Sequence, residues 1–314
     1  MEIKNVIICG LGAVGLTYGG KFRGKFRGKL RGKHRGVNTN DTCSLKILAD
    51  RERVEKYLKN PPVLNGEKLN FDYITPDMKT APADLIIITT KNNGLESAIE
   101  YIKNFVGENT IILSLLNGVT SEEKIADVYG KDKVLYSYFI GHSAVREGNN
   151  VTQDGVGKIC FGSPYKDNQD KVQALKEFFK KNNIDYEIPE DILYSLWLKF
   201  TFNTYANQLS AILRIPFGEM TGKYFEDMAK AVIGEVKEIA EKEGVNINNL
   251  ERDALDCLKL MCPEGKTSML QDIEAGRKTE VDIFSGEIIR KGRKYGIPTP
   301  YNELLYNMIK FMEN

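Results

Sequence analysis

Histidine is nearly missing from this chain: there are two in 314 residues, His34 and His142, and neither sits in a cluster of metal-ligating side chains. That scarcity weighs against a zinc site, and the lack of a G-x-S-x-G elbow weighs against an α/β-hydrolase. The five cysteines (Cys9, Cys43, Cys160, Cys257, Cys262) are odd in number, scattered and without a C-x-x-C pair. Such usage indicates thiols in a reducing compartment, not a disulfide framework. No stretch approaches the roughly 18 apolar residues of a membrane span. The opening MEIKNVIICG has only a short apolar run and no cleavage-site pattern, so a signal peptide is not expected. Net charge is also almost absent, at +1 from 44 Lys plus Arg against 43 Asp plus Glu. That balance favours neither nucleic acid nor a membrane surface as a partner. A soluble, cytoplasmic protein is expected, and at about 150 residues per domain the length suggests two domains.

One block stands out from this neutral background. Residues 21–36 read KFRGKFRGKLRGKHRG, four copies of a K-x-R-G tetrapeptide with eight basic residues and no acid. Without it the balance is 36 basic against 43 acidic residues, or −7. The block could suggest a nucleic-acid-binding module, but its aromatic interleaving stops at Phe22 and Phe26 and the remaining chain is acidic. Glycine at every fourth position and the lack of an apolar face argue against a packed helix.

The first half alternates strands and helices. Val6–Cys9 is a β-branched run ending in glycine, and Leu45–Leu48, Asp84–Thr90, Ile111–Leu116 and Val134–Phe139 read as further strands. Helical stretches lie at Glu52–Lys59 and Leu95–Phe105, and Thr120 opens another with the T-x-x-E spacing of a capping box. Val151–Phe161 reads as a hairpin around Asp154-Gly155. From Pro189 onward the periodicity is helical, over 190–213, 222–243, 249–261, 279–295 and 301–312. The expected architecture is α/β: a Rossmann-type, doubly wound and mostly parallel sheet over 1–188, carrying the insertion 21–36, then an all-helical domain over 189–314.

Gly10-Leu11-Gly12-Ala13-Val14-Gly15 matches the dinucleotide fingerprint G-x-G-x-x-G. In a chain with 28 glycines the match alone is weak, but it directly follows a strand and opens a helix. Gly10 permits the tight turn, Gly12 lets the backbone approach a pyrophosphate, and Gly15 brings helix and strand together. An acidic residue for the ribose is expected about 20 residues further on. Asp50 lies 35 residues beyond Gly15, and removing three or four repeat copies restores the usual spacing. Asp50 favours NAD by repelling a 2′-phosphate, whereas the neighbouring Arg51 and Arg53 can hold that phosphate and favour NADP. The choice stays open at this level.

Ligands of open α/β sheets bind beyond the carboxyl ends of the strands. Lys91 and Asn117 follow two such ends and so point toward a cofactor crevice. Lys199, Asn203 and Asn207 fall at i, i+4 and i+8, along one side of a helix. Asparagine is a poor helix former and solvated faces usually carry Glu, Lys or Arg, so this stripe reads as a polar cleft lining. Ser268–Asp282 is dense in polar groups and reads as a helix, a glycine stop and a second helix start.

In combination these features resemble the ketopantoate reductase (2-dehydropantoate 2-reductase) family over nearly the whole chain except the repeat. The marks are G-L-G-A-V-G, the T-K ending at Lys91, the N-G at Asn117, W-x-K-x-x-x-N-x-x-x-N from Trp197 to Asn207, and S-M-L-Q-D-I…R-x-T-E from Ser268 to Glu280. The resemblance implies reduction of 2-dehydropantoate to (R)-pantoate with NADPH (NADH stays open), on the route to pantothenate and coenzyme A. It implies that Lys199 is the general acid and that Glu280 engages the substrate hydroxyl. It further implies that Asn203, Asn207 and Ser268 hold the substrate, with Asn117 near the nicotinamide and Lys91 near cofactor or substrate. A related 2-oxo acid is the alternative substrate. The oligomeric state is not readable from the residues, and a homodimer is left open.

Overall fold

The structure is a computed structural model that describes residues 1–23, 43–141 and 143–314. Its strands are β1 Asn5–Cys9, β2 Ser44–Leu48, β3 Val63–Leu64, β4 Glu67–Lys68, β5 Asp72–Ile74 and β6 Ala83–Ile88, followed by β7 Val106–Ser114, β8 Val134–Ile140, β9 Ser143–Glu147, β10 Asn150–Asp154, β11 Lys158–Gly162 and β12 Tyr186–Glu187. The helices of the same region are α1 Ala13–Phe22, α2 Arg51–Lys59, α3 Leu95–Tyr101, α4 Ser121–Tyr129 and α5 Gln169–Lys181. Those that follow are α6 Ile192–Leu213, α7 Lys223–Lys242, α8 Leu250–Leu258, α9 Ser268–Glu274, α10 Ser285–Tyr295 and α11 Pro300–Met312. The chain divides into two compact units: 1–116 with 120–192, and 117–119 with 193–314.

The first unit is built on an eight-stranded sheet in the order β12-β11-β8-β7-β6-β1-β2-β5. The strands pair in parallel except β11 against β8. Its central strands are apolar at successive positions because both faces are covered. Val6 and Ile8 of β1, Leu85 and Ile87 of β6, and Ile111 and Leu113 of β7 face one core with Leu16 of α1 and Leu175 and Phe179 of α5. The intervening Ile7, Cys9, Ile86, Ile88 and Ile112 face a second core with Leu95 and Ile99 of α3 and Ile125 of α4. Helices on both faces make the sheet doubly wound. Strand order reverses at β1, which lies between β2 and β6, and the glycine turn leaves the sheet at that point. A second sheet, β4-β3-β10-β9, belongs to the same unit.

Four expectations are corrected here. Val151–Phe161 is not a hairpin: β10 pairs with β9 and β11 pairs with β8, so the two segments enter different sheets. The Thr120 side chain makes no cap hydrogen bond. Ser121 and Glu122 are drawn instead into a buried network, where Ser114 Oγ donates to Ser121 Oγ at 2.8 Å and Ser121 Oγ to Glu122 Oε2 at 2.8 Å. The run 95–105 is α3 followed by a separate 3₁₀ turn over Lys103–Phe105. The run 279–295 is likewise a 3₁₀ turn over Val281–Ile283 and then α10, broken at Phe284.

The tetrapeptide block lies mostly outside the described residues, but its first copy does not. Lys21 and Phe22 are the last residues of α1, so this part of the block is packed helix, contrary to expectation. The Lys21 ammonium is buried and donates to the carbonyls of Val156 and Gly157. Phe22 stacks on Phe178 with ring centroids 5.8 Å apart. Loss of hydration pushes the Lys21 pKa down.

The second unit is helical. Tyr205, Ala206 and Leu209 of α6 pack with Phe225, Ala229, Val232 and Ile233 of α7, Ala254 of α8 and Leu305 of α11. Thr267 caps α9 by accepting from the Leu270 amide at 3.2 Å. Gly296, left-handed at φ 69°, ends α10, and Pro300 starts α11. Buried Glu235 accepts from the Tyr301 and Asn302 amides at 2.8 and 2.9 Å, satisfying the first turn of α11. No helix among the described residues is long and apolar enough to cross a membrane.

Candidate active site

The glycine turn of the first unit has the form that a dinucleotide requires. Gly10 has φ +98°, and a Cβ there would lie 2.9 Å from Thr90 Cγ2. A Cβ on Gly15 would lie 2.2 Å from the Gly10 carbonyl oxygen and 2.5 Å from Thr89 Oγ1. Thr89 Oγ1 donates to that carbonyl at 2.6 Å, so strand end, turn and helix start form one tight knot. At Gly12, by contrast, a Cβ would meet nothing nearer than the Thr89 carbonyl at 3.6 Å, which leaves this side of the turn open. Helix α1 begins here with no acidic residue in its first turn, so its positive end faces outward uncompensated. Thr90 Oγ1 is buried beside the turn with no hydrogen-bond partner among the described residues. These residues fit a pyrophosphate.

Around this turn Leu11 is buried, and Ala13 and Val14 are half-buried in the first turn of α1. Asp50, expected at the ribose, is the N-cap of α2: its Oδ1 accepts from the Arg53 amide at 2.8 Å and its Oδ2 pairs with Arg53 Nη1 at 3.2 Å. Arg51 pairs with Asp77 at 3.1 Å. Lys91 is exposed, preceding a 3₁₀ turn over Asn92–Gly94.

The remaining expected residues fall in the second unit. Lys199, Asn203 and Asn207 lie along α6, where the first two are half-buried and Asn207 is buried. Lys199 Nζ donates to Asn117 Oδ1 at 3.3 Å, and Asn117 Nδ2 donates to Glu280 Oε2 at 3.0 Å. Asn117 thus bridges an ammonium and a carboxylate with the two ends of one amide. Gly118 follows it with φ +101°, a conformation suited to glycine, in the short segment 117–119 that belongs to this unit. Two helical turns along α6, roughly 12 Å away, Ser268 Oγ donates to Asn207 Oδ1 at 3.3 Å. Glu280 is held by its neighbour: the Thr279 amide and hydroxyl both donate to Glu313 Oε1, at 2.7 and 2.6 Å.

Sequence reasoning missed three participants. Thr279 and Glu313 fix the backbone before Glu280, and their pairing across 34 residues has no spacing signature. Arg146 of β9 donates from Nη1 to the Leu11 carbonyl, inside the glycine turn, and from Nε to the Gly148 carbonyl at 2.9 Å. A single arginine on a short strand gives no motif to find.

A dinucleotide-binding sheet with this turn at its switch point, followed by a helical unit carrying a Lys–Asn–Glu hydrogen-bond chain, defines a two-unit oxidoreductase of the Rossmann type. The particular family follows from comparison with known proteins. The model of ketopantoate reductase PanE/ApbA matches residues 6–165, and that of the PanE/ApbA C terminal matches 191–313. The chain belongs to the ketopantoate reductase family. It is 30% identical over 241 residues to the 2-dehydropantoate 2-reductase of Pyrococcus horikoshii, covering 76% of this chain and 79% of that protein. It is 27% identical over 317 residues to a 2-dehydropantoate 2-reductase of Streptococcus pyogenes, covering 98% and 97%. Among solved structures, a ternary complex of D-mandelate dehydrogenase with NADH and anilino(oxo)acetate superposes with a TM-score of 0.82 at 23% identity, covering 98% of this chain and 97% of that one. At that identity the likeness concerns the fold.

Proposed function

We propose that this protein reduces 2-dehydropantoate to (R)-pantoate with NADPH, in the reducing cytoplasm. The observation that carries the reading is the chain Lys199–Asn117–Glu280 in a member of this family. NADPH, when bound, supplies the hydride that the ketone carbon accepts. Negative charge then develops on the carbonyl oxygen, and the Lys199 ammonium stabilises it and donates a proton to it. Asn117 orients Nζ by accepting a hydrogen bond from it, and through its amide nitrogen it donates to and fixes the Glu280 carboxylate. Glu280 accepts a hydrogen bond from the substrate hydroxyl. Asn203, Asn207 and Ser268 hold the rest of the substrate.

For the cofactor, Gly10, Leu11, Gly12, Ala13, Val14 and Gly15 cradle the pyrophosphate; Asn117 is assigned to the nicotinamide and Lys91 to cofactor or substrate. The NADPH preference rests on Arg51 and Arg53, both exposed at the start of α2. Their ion pairs with Asp77 and Asp50 are solvent-accessible and weak, so a 2′-phosphate can exchange into them. Initial rates with NADPH and NADH, each with ketopantoate and with a panel of other 2-oxo acids, test the reading. Ketopantoate with NADPH should give the highest kcat/KM. A tenfold higher value for another 2-oxo acid would replace the substrate, and one for NADH would replace the cofactor.

A further inference from the structure

We propose that Arg146 is a cofactor-positioning residue, which holds the glycine turn through the Leu11 carbonyl and presents its positive charge to the dinucleotide pyrophosphate. The inference rests on the dinucleotide-binding reading above. Arg146 lies on β9, which packs along α1 in the same unit. Its Nη1 reaches the second residue of the turn and its Nε is fixed by the Gly148 carbonyl. These contacts use two of the five N–H donors of a guanidinium. The planar fork is therefore anchored at two points, with donors remaining for phosphate oxygens. The location matters because Leu11 lies between Gly10, which makes the turn, and Gly12, whose open side accepts the ligand. A carbonyl at this position repels an approaching anion. A cation bonded to it reverses the sign of the local field and adds to that of the α1 N-terminus. The next residue, Glu147, points to the other face of the strand and does not neutralise it.

Arg146→Gln retains an amide donor for the Leu11 carbonyl but removes the charge, whereas Arg146→Lys retains the charge but loses the fork. Dissociation constants for NADPH, NADH and ADP-ribose are measured by nucleotide fluorescence and calorimetry on the full chain, with kcat and substrate KM alongside. In Arg146→Gln all three constants should rise by about ten- to a hundredfold, the ratio for one charged hydrogen bond. Adenosine, which lacks the pyrophosphate, should bind unchanged, and kcat at saturating cofactor should stay within about threefold. Arg146→Lys should recover much of the loss, and the salt dependence of NADPH binding should be shallower in Arg146→Gln than in the native protein. Native-like binding of ADP-ribose by Arg146→Gln overturns the proposal. So does an equal loss in both variants, which would reduce Arg146 to shaping the turn. If Arg146→Gln does not fold, the salt dependence of the native protein against Arg146→Lys decides: a native constant insensitive to salt overturns it. Failure of the native protein to bind any of the three nucleotides overturns the cofactor reading itself, and this inference with it.

Discussion

Asn117 Nδ2 donates to Glu280 Oε2 at 3.0 Å, while the other end of the same amide accepts from Lys199. An asparagine so placed cannot flip without losing both bonds, so it fixes the separation of the ammonium and the carboxylate. If Glu280 takes the substrate hydroxyl, Glu280→Gln keeps the shape of this arrangement and removes the charge. Substrate KM should rise by about ten- to a hundredfold, as for one charged hydrogen bond of about 1.5–3 kcal/mol. The NADPH dissociation constant should stay within about a factor of three. Equal damage to cofactor affinity would show that Glu280 has another role.

Lys199→Ala should lower kcat by roughly 10²–10⁴-fold, typical of losing a positioned acid. The residue is half-buried and lies outside the apolar cluster of its unit, so the melting temperature should change little. A variant with near-native kcat on the true substrate removes Lys199 from the mechanism.

The second and third glycines of the fingerprint should respond differently. Gly15→Ala would place a methyl 2.2 Å from backbone, where no rotamer can relieve it. It should cost about 1–3 kcal/mol or more in stability, in the range of overpacked cores, and lower the melting temperature by several degrees. Gly12→Ala meets nothing nearer than 3.6 Å. Its melting temperature should be near native while NADPH binding weakens at least tenfold, because the methyl occupies the side open to phosphate. Thermal melts and fluorescence titrations of the pair distinguish these outcomes. Equal melting temperatures would show that the knot between Gly10 and Gly15 is looser than its geometry.

Glu122 gives the fold a pH dependence. Burial pushes its pKa up to about 7, against the hydrogen bonds from Ser121 and the Ser137 amide that favour the ionised form. A carboxyl with a raised folded-state pKa binds more protons folded than unfolded. Its contribution is fully present below the unfolded value near 4.5 and is lost as pH rises through about 7. Glu122→Gln should abolish this loss, worth on the order of a few kcal/mol. Its melting temperature should exceed that of the native protein at pH 8 and match it more closely at pH 5. A native melting temperature that stays flat from pH 5 to 8 would place the titration elsewhere.

The basic repeat should be dispensable for catalysis beyond its first copy. Helix α1 leads from the glycine turn to Arg23 over about 15 Å, so the block begins at the end of the helix remote from that turn. Deleting Lys25–Gly36 should leave KM for substrate and NADPH within about twofold, since a change in the length of a connection has a small energetic cost. Lys21 must be retained, because its ammonium satisfies the Val156 and Gly157 carbonyls. A tenfold rise in the NADPH KM on deletion would mean that the block reaches the 2′-phosphate.

The central sheet was legible because strands covered on both faces leave unbroken apolar runs, as in Val6–Cys9 and Leu85–Ile88. The small second sheet was not. Its β3 and β4 have two residues each, and its register is held by contacts such as the Gln153 amide to Asn65 Oδ1 across 88 residues. Lys199, Asn203 and Asn207 could be grouped because a helix repeats every 3.6 residues. Asn117 and Glu280 are 163 residues apart and no periodicity relates them. Only the family resemblance joined them beforehand. Asp50 carried a second signal that the first obscured: an aspartate just before a helix is also a cap, and here it accepts the Arg53 amide.

The bridging position of Asn117 has a kinetic consequence. Its two hydrogen bonds close loops of 82 and 163 residues. Such closures carry the greatest entropic cost in the search for the native state, and local helices and strand pairs form ahead of them. The apolar cluster of the helical unit lies within residues 193–314, whereas its Lys–Asn–Glu chain stays incomplete until the segment 117–119 arrives. On refolding, helix content should therefore return ahead of the Asn117 contacts, and a fragment beginning at Leu193 carries the Lys199 ammonium and the Glu280 carboxylate without the amide that bridges them.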